Sequence, residues 1–526
     1  MARYVDEYDF GDVLADLPRG RDADHVGRPP NAYFEHPANI AATESLSFDV
    51  RENVESKLFL GVTGGKVVTG QRMPDGRVPR WVQGGVPQGV ADDRHHFLLA
   101  GSRGGKGRAF LVNNLIALPS MTSSLTIDPK GDLAATTARY RAEALGQEVA
   151  VTDMFDCSGS KTRKFRKGLN VIDGLCRADR KTFTADAMLI ADALVVESES
   201  IENPHWDECT KEAISGLCAH IATHSNYSDG QRNLVTVWEL AAAACEPDPN
   251  DAHAFALENE MLANDAAGGY VRAVARAFYS RTGDEFASVA SNMRRHLSFI
   301  GIEAMQDALR GPCVDPAKIK NGSLAWYVSI PTMRDHALKG FKRLCVQTCL
   351  AACEKEQQQF GNQAVFFLDE FHALGRMKCI ETAIAQFAGL GVKLVIVLQD
   401  LSQIQRIYPK SWQTFLGNAG TLQTFAGNDE ATLSYLSKRV GEAVTVSHSS
   451  NQPSRDQVLE SANSGMSWAL GNKPLLTPTE LEFYFARDDA KLRQLVLRPG
   501  YRPMVLQRCF YDKSEYFAGR FDRRDT

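Results

Sequence analysis

The sequence lacks the features that mark membrane-spanning and disulfide-bonded proteins. None of its apolar runs approaches the roughly 18–20 residues that span a bilayer, and no amino-terminal signal peptide is recognisable. Its 11 cysteines include no CxxC pair, so we expect neither a disulfide framework nor a cysteine zinc site, and a reducing cytoplasm is favoured. Three cysteines recur every four residues, at Cys345, Cys349 and Cys353, a spacing that places small buried side chains on one helix face.

An excess of positive charge is also absent, because the net charge is −5. This value argues against general adhesion to nucleic acid, so any contact with DNA would need a local basic surface. The hydrophobic and charged fractions, 44% and 23%, are those of a soluble globular protein. A length of 526 residues exceeds what one hydrophobic core supports and predicts two or three domains.

The stretch Ala100–Arg108, AGSRGGKGR, has the context of a phosphate-binding loop. The apolar run HHFLLA precedes it and the helix-spaced segment AFLVNNLIAL follows it, which gives a strand, a glycine-rich turn and a helix in order. Glycines allow consecutive backbone N–H groups to face an anion, and Lys106 supplies a point charge for the phosphates. The predicted nucleotide-binding residues are Gly101, Ser102, Arg103, Gly104, Gly105, Lys106, Gly107 and Arg108.

Two positions depart from the usual GxxxxGK[ST] pattern. The pattern requires glycine where Ala100 stands, and serine or threonine where Gly107 stands. The second departure removes a hydroxyl that normally ligates Mg²⁺, although phosphate oxygens, waters and a carboxylate elsewhere could complete the coordination. Taken alone, the stretch also fits a tight turn with a surface lysine.

The segment AVFFLDEF provides a second motif. Its apolar residues predict a buried strand that ends in Asp369 and Glu370. Asp369 is placed to hold Mg²⁺ and Glu370 to polarise the attacking water, whereas a core strand with a helix-capping aspartate is the alternative. Gln399 ends another apolar strand, VKLVIVLQ, where it could sense the γ-phosphate or cap the strand. Together with Lys106 these residues form the predicted catalytic set, with Asp369 as the metal ligand.

Further charged residues have two interpretations each. Asp128 and Lys130, in DPKGD at another strand end, could contact nucleotide or link subunits, or could form a turn with a salt bridge. An arginine finger from a neighbouring subunit would be Arg376 or Arg439, although each is more often a surface ion pair. For each of these residues, the sequence leaves the functional and the structural interpretation open.

Two basic clusters offer candidate surfaces for nucleic acid. The denser one is KTRKFRK, residues 161–167, where Phe165 could stack a base while the cations follow a phosphate backbone. A solvated charged loop is an equally good interpretation of this cluster. The weaker cluster consists of Arg294, Arg295 and His296.

The order of elements predicts an α/β fold with a mostly parallel central sheet and an inserted all-α domain. Strand and helix patterns alternate after the phosphate loop, which is the βαβ arrangement of a parallel sheet. Residues 56–181 and 311–526 are assigned to the nucleotide-binding domain, and residues 182–310, where clear strand patterns are missing, to the insert. Residues 1–55 are expected to form a loosely ordered arm, and residues 447–471 a mobile loop.

Five segments resemble, in order and spacing, the motifs of type IV secretion coupling proteins of the TraG/TraD kind: AGSRGGKG, LTIDPKGDL, VFFLDEFHALGRM, VIVLQDLSQIQRIY and FLGNAGTLQTFAGND. PHWDECTKEAISGL resembles the start of that family's all-helical domain, and KPLLTPTELEF its closing motif, so the resemblance covers roughly residues 57–510. It implies a RecA-like P-loop ATPase that forms a hexameric ring and uses ATP and Mg²⁺. Such a ring recruits DNA–relaxase complexes or protein effectors and passes them to a secretion channel.

The resemblance also implies roles for individual residues. By position, Lys106 binds phosphate, Asp369 holds Mg²⁺ and Glu370 activates water, while Gln399 acts as the sensor. Glycine after the lysine is common in that family, so Gly107 does not indicate an inactive enzyme. The expected partners are DNA without sequence preference, relaxase or effector proteins that meet the helical insert, and secretion-channel ATPases.

One departure from the family concerns the membrane. These proteins usually carry amino-terminal transmembrane helices, and none is recognisable here. We therefore expect either a cytoplasmic protein, peripheral at the inner face of the cytoplasmic membrane, that contacts the membrane only through partners, or a protein whose anchor is missing from this sequence. One alternative is a soluble hexameric DNA translocase like FtsK or HerA without a secretion role. A second alternative is a receptor or scaffold that binds nucleotide without turnover, which the intact Asp369 and Glu370 disfavour.

Overall fold

A computed structural model describes residues 32–74, 76, 78–196, 204–245, 256–355, 363–450 and 466–523. Within these ranges, no helix combines the length and the apolarity that crossing a membrane requires. An eleven-stranded sheet forms the centre, and a hydrophobic core lies on each of its two faces.

The strands read as apolar runs because most of them are buried on both faces of the sheet. Every residue of the strands that carry the predicted catalytic residues is buried. In chain order the strands are β1 (Leu58–Thr63), β2 (Lys66–Thr69), β3 (Arg80–Gln83), β4 (Val86–Val90), β5 (His95–Ala100), β6 (Ser123–Ile127), β7 (Glu148–Thr152), β8 (Leu324–Val328), β9 (Ala364–Leu368), β10 (Val392–Leu398), β11 (Ala419–Phe425), β12 (Glu442–Ser450), β13 (Met466–Pro474), β14 (Arg493–Leu497) and β15 (Met504–Gln507).

The strand order of the main sheet is β4-β1-β15-β14-β11-β5-β10-β9-β6-β8-β7. The run from β11 to β7 is parallel throughout, and β14, β15, β1 and β4 extend the sheet through antiparallel pairings. The prediction of a mostly parallel sheet is confirmed. Because β5, β10 and β9 are neighbours, their carboxyl ends meet at one edge, which is where parallel α/β sheets bind ligands.

Helices cover the sheet on both faces. They are α1 (Pro37–Ala42), α2 (Val112–Ala117), α3 (Asp132–Arg139), α4 (Val171–Cys176), α5 (Phe183–Leu194), α6 (Pro204–Thr223), α7 (Leu234–Cys245), α8 (Ala256–Ala263), α9 (Ala266–Tyr279), α10 (Gly283–Leu297), α11 (Glu303–Arg310), α12 (Lys318–Asn321), α13 (Lys339–Lys355), α14 (Lys378–Ala383), α15 (Leu401–Ile407), α16 (Trp412–Gly417), α17 (Glu430–Val440) and α18 (Pro478–Tyr484). Cys345, Cys349 and Cys353 are buried on α13, as their spacing predicted.

The described residues within 182–310 form helices and turns, in agreement with the sequence pattern. These helices share one hydrophobic core with a face of the central sheet. The guanidinium of Arg343, on α13, donates hydrogen bonds to the carbonyls of Ala193 (2.9 Å) and Asp192 (3.0 Å) at the end of α5. The helical region is therefore fastened to the nucleotide-binding part, while its proposed domain bounds stay a prediction.

The expectation of a loosely ordered arm is wrong for residues 32–55. This segment contains helix α1, and the side chains of Ile40, Leu46 and Phe48 are buried in the hydrophobic core on one face of the sheet. The Phe48 ring lies 5.3 Å from the ring of Phe59 on β1. The apolar residues here are spaced too irregularly to produce a helix or strand pattern, but each fits against the antiparallel end of the sheet. Residues 1–31 lie outside the described residues.

The expectation of a mobile loop at residues 447–471 also needs correction. Strands β12 and β13 form an antiparallel two-stranded sheet whose pairing runs from Glu442 with Pro474 to Ser450 with Met466. Backbone hydrogen bonds make this ladder, so its Ser-, Asn- and Gly-rich composition gave no strand signal. The part of the expected loop between residues 451 and 465 lies outside the described residues.

Truncating Phe48 tests whether the amino-terminal segment belongs to the fold. We expect Phe48→Ala to lower the free energy of unfolding by about 3 kcal/mol, because it leaves a cavity against β1. Val54→Ala is the matched control, since that side chain is 79% exposed, and its effect should stay within about 0.5 kcal/mol. Urea denaturation followed by circular dichroism measures both, and equal small effects would contradict the packing described here.

Candidate nucleotide site

The predicted phosphate loop is a sharp turn between β5 and a helix. A Cβ atom at Gly101 would lie 1.9 Å from the carbonyl oxygen of Ala426, so only glycine fits there. Gly105 has a φ of 91°, in the left-handed region that favours glycine. A Cβ at Gly107 would meet no atom within 4 Å, so glycine is not required by packing at the position where serine or threonine is usual. The helix that follows begins with one wide turn, Gly107–Leu111, and continues as α2.

A compact ion cluster joins the phosphate loop to the tip of β9. The Lys106 Nζ atom lies 2.7 Å from Asp369 Oδ1 and 2.5 Å from Glu370 Oε1. Burial lowers the pKa of Lys106, but the two carboxylates outweigh it and hold that pKa above its usual value. Burial raises the pKa of Asp369 in spite of the lysine. At Glu370 burial acts in the same direction, but Lys106 prevails and holds the pKa of that carboxyl below its usual value.

Gln399, at the tip of β10, completes the cluster. Its Nε2 atom lies 3.2 Å from Glu370 Oε2, to which it donates a hydrogen bond, and its Oε1 atom accepts one from the Ser102 hydroxyl at 2.8 Å. The four predicted catalytic residues, Lys106, Asp369, Glu370 and Gln399, are thus brought together from three neighbouring strands. The Ser102 contact was not foreseen beyond its place in the loop.

Glu370 holds a strained backbone conformation. Its φ of 54° and ψ of 50° lie in the left-handed region, which is uncommon for a residue with a side chain and costs on the order of 1–3 kcal/mol. The turn lets the chain leave β9 abruptly and directs the Glu370 carboxylate toward Lys106. Such outliers concentrate at functional sites, where surrounding contacts maintain them.

Asp128 and Lys130 have different environments although they are two residues apart. Asp128 is buried at the end of β6, and its Oδ2 atom accepts a hydrogen bond from the Ala134 N–H at 2.9 Å, in the first turn of α3. It therefore holds strand and helix together. Lys130 is exposed and lines a cavity of about 900 Å³ that also borders Asp369 and Glu370.

Arg376 lines the same cavity and donates a hydrogen bond from Nε to Glu381 at 2.8 Å. This is the ion-pair arrangement that the sequence left as an alternative to an arginine finger. Arg439 lies exposed in the last turn of α17 and is not among the cavity-lining residues. A finger would act in a neighbouring subunit's site, so both assignments stay predictions.

The basic cluster at residues 161–167 is largely neutralised by carboxylates. Its ion pairs are Arg163 and Arg166 with Asp156, Lys164 with Glu143 at 2.5 Å, and Lys167 with Glu148 at 2.8 Å. Phe165 is partly buried against the core on one face of the sheet. These contacts favour the charged-surface interpretation over a nucleic-acid contact, and the acidic partners were not apparent because three of the pairs span 10 to 21 residues.

The weaker cluster at Arg294, Arg295 and His296 does not form one basic surface. His296 is 8% exposed, and its Nε2 atom accepts a hydrogen bond from Arg295 Nη2 at 3.0 Å. Burial, with Arg295 as a further cause, lowers the pKa of His296 to about 4. This imidazole is neutral at physiological pH and adds no charge for DNA.

The segment after β15 supports the phosphate loop, which the sequence did not reveal. Arg508 is buried, and its guanidinium donates hydrogen bonds to the carbonyls of Gly104 (3.3 Å) and Ala486 (3.1 Å). Burial lowers the pKa of Arg508 to about 10. Arg108 lies over the ring of Phe510 at 4.5 Å and pairs with Asp512 at 2.6 Å. The contacts between the phosphate loop and this segment join residues about 400 positions apart in the chain, so no motif indicates them.

The donor set fits a magnesium nucleotide. Glycine-enforced turns leave the loop backbone close to a ligand site, and Lys106 offers a cation for phosphate. Asp369 is a partly buried carboxylate beside that cation, which suits an oxygen-preferring ion that keeps several waters. The residues present therefore fit both the nucleotide and Mg²⁺.

Comparison with known proteins identifies a protein family that this chain matches. A sequence-family model described as type IV secretory system conjugative DNA transfer matches residues 39–523. The conjugal transfer protein TraG of Rhizobium radiobacter is 23% identical over 440 residues, 82% of this chain and 65% of that protein. The protein VirD4 of Agrobacterium fabrum (strain C58 / ATCC 33970) is 24% identical over 463 residues, 85% of this chain and 62% of that protein. This chain thus spans less than two thirds of the length of these relatives.

Solved structures show the same fold. The bacterial conjugative coupling protein TrwB, in its unbound form, matches with a TM-score of 0.57 and 15% identity, over 82% of this chain and 90% of that chain. TrwB in complex with ADP and Mg²⁺ matches with a TM-score of 0.58 and 14% identity, over 81% of this chain and 88% of that chain. These likenesses confirm the expected RecA-like α/β fold with its helical region.

The buried carboxyl of Asp128 should make stability depend on pH. Burial raises its pKa from 3.8 to about 7, so the folded chain binds a proton that the unfolded chain releases above pH 4. The associated stability is complete below pH 4 and is lost as the pH rises through 7. Asp128→Asn keeps an acceptor for the Ala134 N–H but does not titrate. We expect this variant to be about 1–2 kcal/mol more stable than wild type at pH 8 and no more stable at pH 4. Urea denaturation at both pH values measures this, and a pH-independent difference would contradict it.

Proposed function

The chain belongs to the conjugative DNA-transfer family of type IV secretory systems, and we propose that it is an ATP-hydrolysing coupling protein. The observation that carries this proposal is the contact of Lys106 with both Asp369 and Glu370 beneath a glycine-rich loop. Relatives named as type IV secretion coupling or conjugal transfer proteins supply the biological setting. In that setting the protein recruits DNA–relaxase complexes or protein effectors and delivers them to a secretion channel.

Nucleotide binding would exchange the partners of Lys106. The loop from Gly101 to Arg108 would hold the phosphates, with Lys106 moving its ammonium from the carboxylates to the phosphate oxygens. Asp369 would then hold Mg²⁺, which supplies neutralisation of the charge that develops on the transferred phosphoryl group. After this exchange, among the described residues, the Gln399 side chain would be the one that still donates a hydrogen bond to the Glu370 carboxylate.

Glu370 is the residue that would activate the attacking water. Once Lys106 has moved to the phosphates, the Glu370 carboxylate beside the loop is free to accept the proton as the water oxygen bonds to the γ-phosphorus and the bond to the β–γ bridging oxygen breaks. Gln399 already contacts Glu370 and Ser102, so it can orient that water and sense whether the γ-phosphate is present.

We further propose a homo-hexameric ring that binds DNA without sequence preference. Phosphoryl transfer in such rings gains an arginine from the neighbouring subunit, for which Arg376 and Arg439 are the candidates. The protein would act at the inner face of the cytoplasmic membrane, with secretion-channel ATPases as partners and membrane contact through those partners. The hexameric translocase without a secretion role remains the alternative function.

Substitution of the ion cluster tests the motor activity. We expect wild type to hydrolyse ATP faster when DNA is added, and Lys106→Ala to lower kcat at least about 100-fold by removing a phosphate contact. Glu370→Gln should lower kcat about 100-fold, because the amide cannot accept the proton, while nucleotide affinity is retained. Phosphate release and binding of a fluorescent nucleotide measure the two effects.

Lys66→Ala is the matched control, because Lys66 lies exposed on β2, away from the site. Its turnover should equal that of wild type. If wild type turned over ATP no faster than Lys106→Ala, with and without DNA, the protein would bind nucleotide as a receptor or scaffold.

Co-purification separates a coupling protein from a translocase. We expect tagged wild type to recover a relaxase or a secretion-channel ATPase from its own host, because delivery to a channel requires contact with both cargo and channel. Mass spectrometry of the recovered complexes measures this, with Lys106→Ala as the comparison for nucleotide-dependent partners. Recovery of chromosome segregation or repair factors alone would contradict the coupling role and favour the translocase.

A further inference from the structure

Two histidines and a glutamate meet in the helical region, far along the chain from the catalytic residues. His220 lies in the last turn of α6, His224 follows one turn later, and Glu260 lies on α8. One ligand atom from each of these three residues lies within 4.8 Å of the others. From this cluster we infer a binding site for a divalent transition-metal ion of the Zn²⁺ class, which ties the end of α6 to α8.

His220 supplies the observation that points to a ligand. Its side chain is 0% exposed, and its Nε2 atom has no hydrogen-bond partner although it is buried. That atom faces the Glu260 carboxylate, whose Oε2 lies 3.7 Å away, too far for a hydrogen bond. A buried polar atom without a partner is costly, and a metal ion between Nε2 and the carboxylate removes this cost.

The donor set matches the preference of zinc. Two imidazoles and one carboxylate are a recurrent set of three protein ligands, with water in the remaining position. His224 lies just past the end of α6, where its backbone N–H donates a hydrogen bond to the His220 carbonyl at 2.8 Å and so continues the helical spacing. The ring centroids of His220 and His224 are 4.8 Å apart.

Neighbouring residues hold the cluster in place. Asn226 donates a hydrogen bond from Nδ2 to Glu260 Oε1 at 3.0 Å, which fixes that carboxylate. The Tyr227 ring packs edge-on against the His220 ring, with centroids 5.5 Å apart. Hydrogen bonds and ring contacts to the metal ligands orient those ligands and raise their affinity for the ion.

Asn264 determines which nitrogen of His220 carries the proton. Its Oδ1 accepts from the Ala266 N–H at 2.9 Å, and its Nδ2 donates to His220 Nδ1 at 3.1 Å, so the proton of the metal-free ring is on Nε2. When the ion takes Nε2, the proton moves to Nδ1, and Asn264 must present its oxygen there instead. The wild-type chain therefore gives up one hydrogen bond on binding, and an acceptor at position 264 strengthens the site.

The test uses the full chain, freed of metal, titrated with Zn²⁺ alone against a competing chelator. We expect one ion per chain, with affinity lowered more than about tenfold in His224→Ala and in Glu260→Gln. His36→Ala is the matched control, because this exposed histidine belongs to no cluster of candidate metal ligands among the described residues, and the affinity of this variant should equal that of wild type. Asn264→Asp should bind more tightly than wild type. Circular dichroism confirms that each variant is folded, and Glu260→Gln preserves the side-chain shape.

Titration with Co²⁺ distinguishes this site from the cysteines. Ligation by two imidazoles and a carboxylate gives visible d–d absorption without a thiolate-to-metal charge-transfer band. The inference is overturned if wild type binds no Zn²⁺, if the charge-transfer band appears, if His224→Ala and Glu260→Gln bind like wild type, or if Asn264→Asp fails to bind more tightly. None of these outcomes depends on ATP hydrolysis, so the proposed motor function stands or falls separately.

Discussion

The ammonium of Lys106, held between the carboxylates of Asp369 and Glu370, is the interaction on which the candidate site depends. One cation faces two anions, so the cluster carries an excess negative charge in the absence of a ligand. In the proposed function, the lysine would leave the carboxylates for the phosphate chain, and a cation would replace it there. In that proposal, phosphate binding and metal binding would be linked, because neither alone restores the charge balance of this partly buried cluster.

The strand order makes that contact possible. Strands β5, β10 and β9 are adjacent and parallel, so residues just past their carboxyl ends share one edge although they are separated by hundreds of residues in the chain. Two features refine the positions. The left-handed backbone at Glu370 turns the chain sharply after β9, and the buried Arg508 guanidinium holds the loop through the Gly104 carbonyl. The segment that follows the antiparallel strand β15 thus supports the phosphate loop.

The sequence predicted what depends on local pattern and missed what depends on distant pairing. Apolar runs that end in polar residues predicted β5, β9 and β10. The same runs indicated the candidate site, because the polar residues that follow a buried parallel strand lie at the ligand-binding edge of the sheet. These residues are Lys106, Asp369, Glu370 and Gln399. The docking of residues 32–55 escaped prediction, because isolated apolar residues such as Phe48 have no periodicity. The sequence left both interpretations of the basic cluster at residues 161–167 open for a similar reason, since Glu143 and Glu148, which neutralise it, lie 21 and 19 residues before the lysines they contact.

Gln399 connects the ion cluster to the rest of the molecule. Its side chain bonds to Ser102 in the phosphate loop and to Glu370, and its backbone N–H donates to Gln403 Oε1 on α15 at 3.0 Å. If Lys106 left Glu370, the Glu370 carboxylate would still accept a hydrogen bond from the Gln399 side chain. A shift of Glu370 would therefore act on the tip of β10 and the start of α15. Helix α15 in turn borders the cavity through Arg406 and Ile407. In the proposed ring, these directly bonded groups would offer a route from the phosphate loop to the surface around this cavity, by which a subunit would report its nucleotide state to its neighbours.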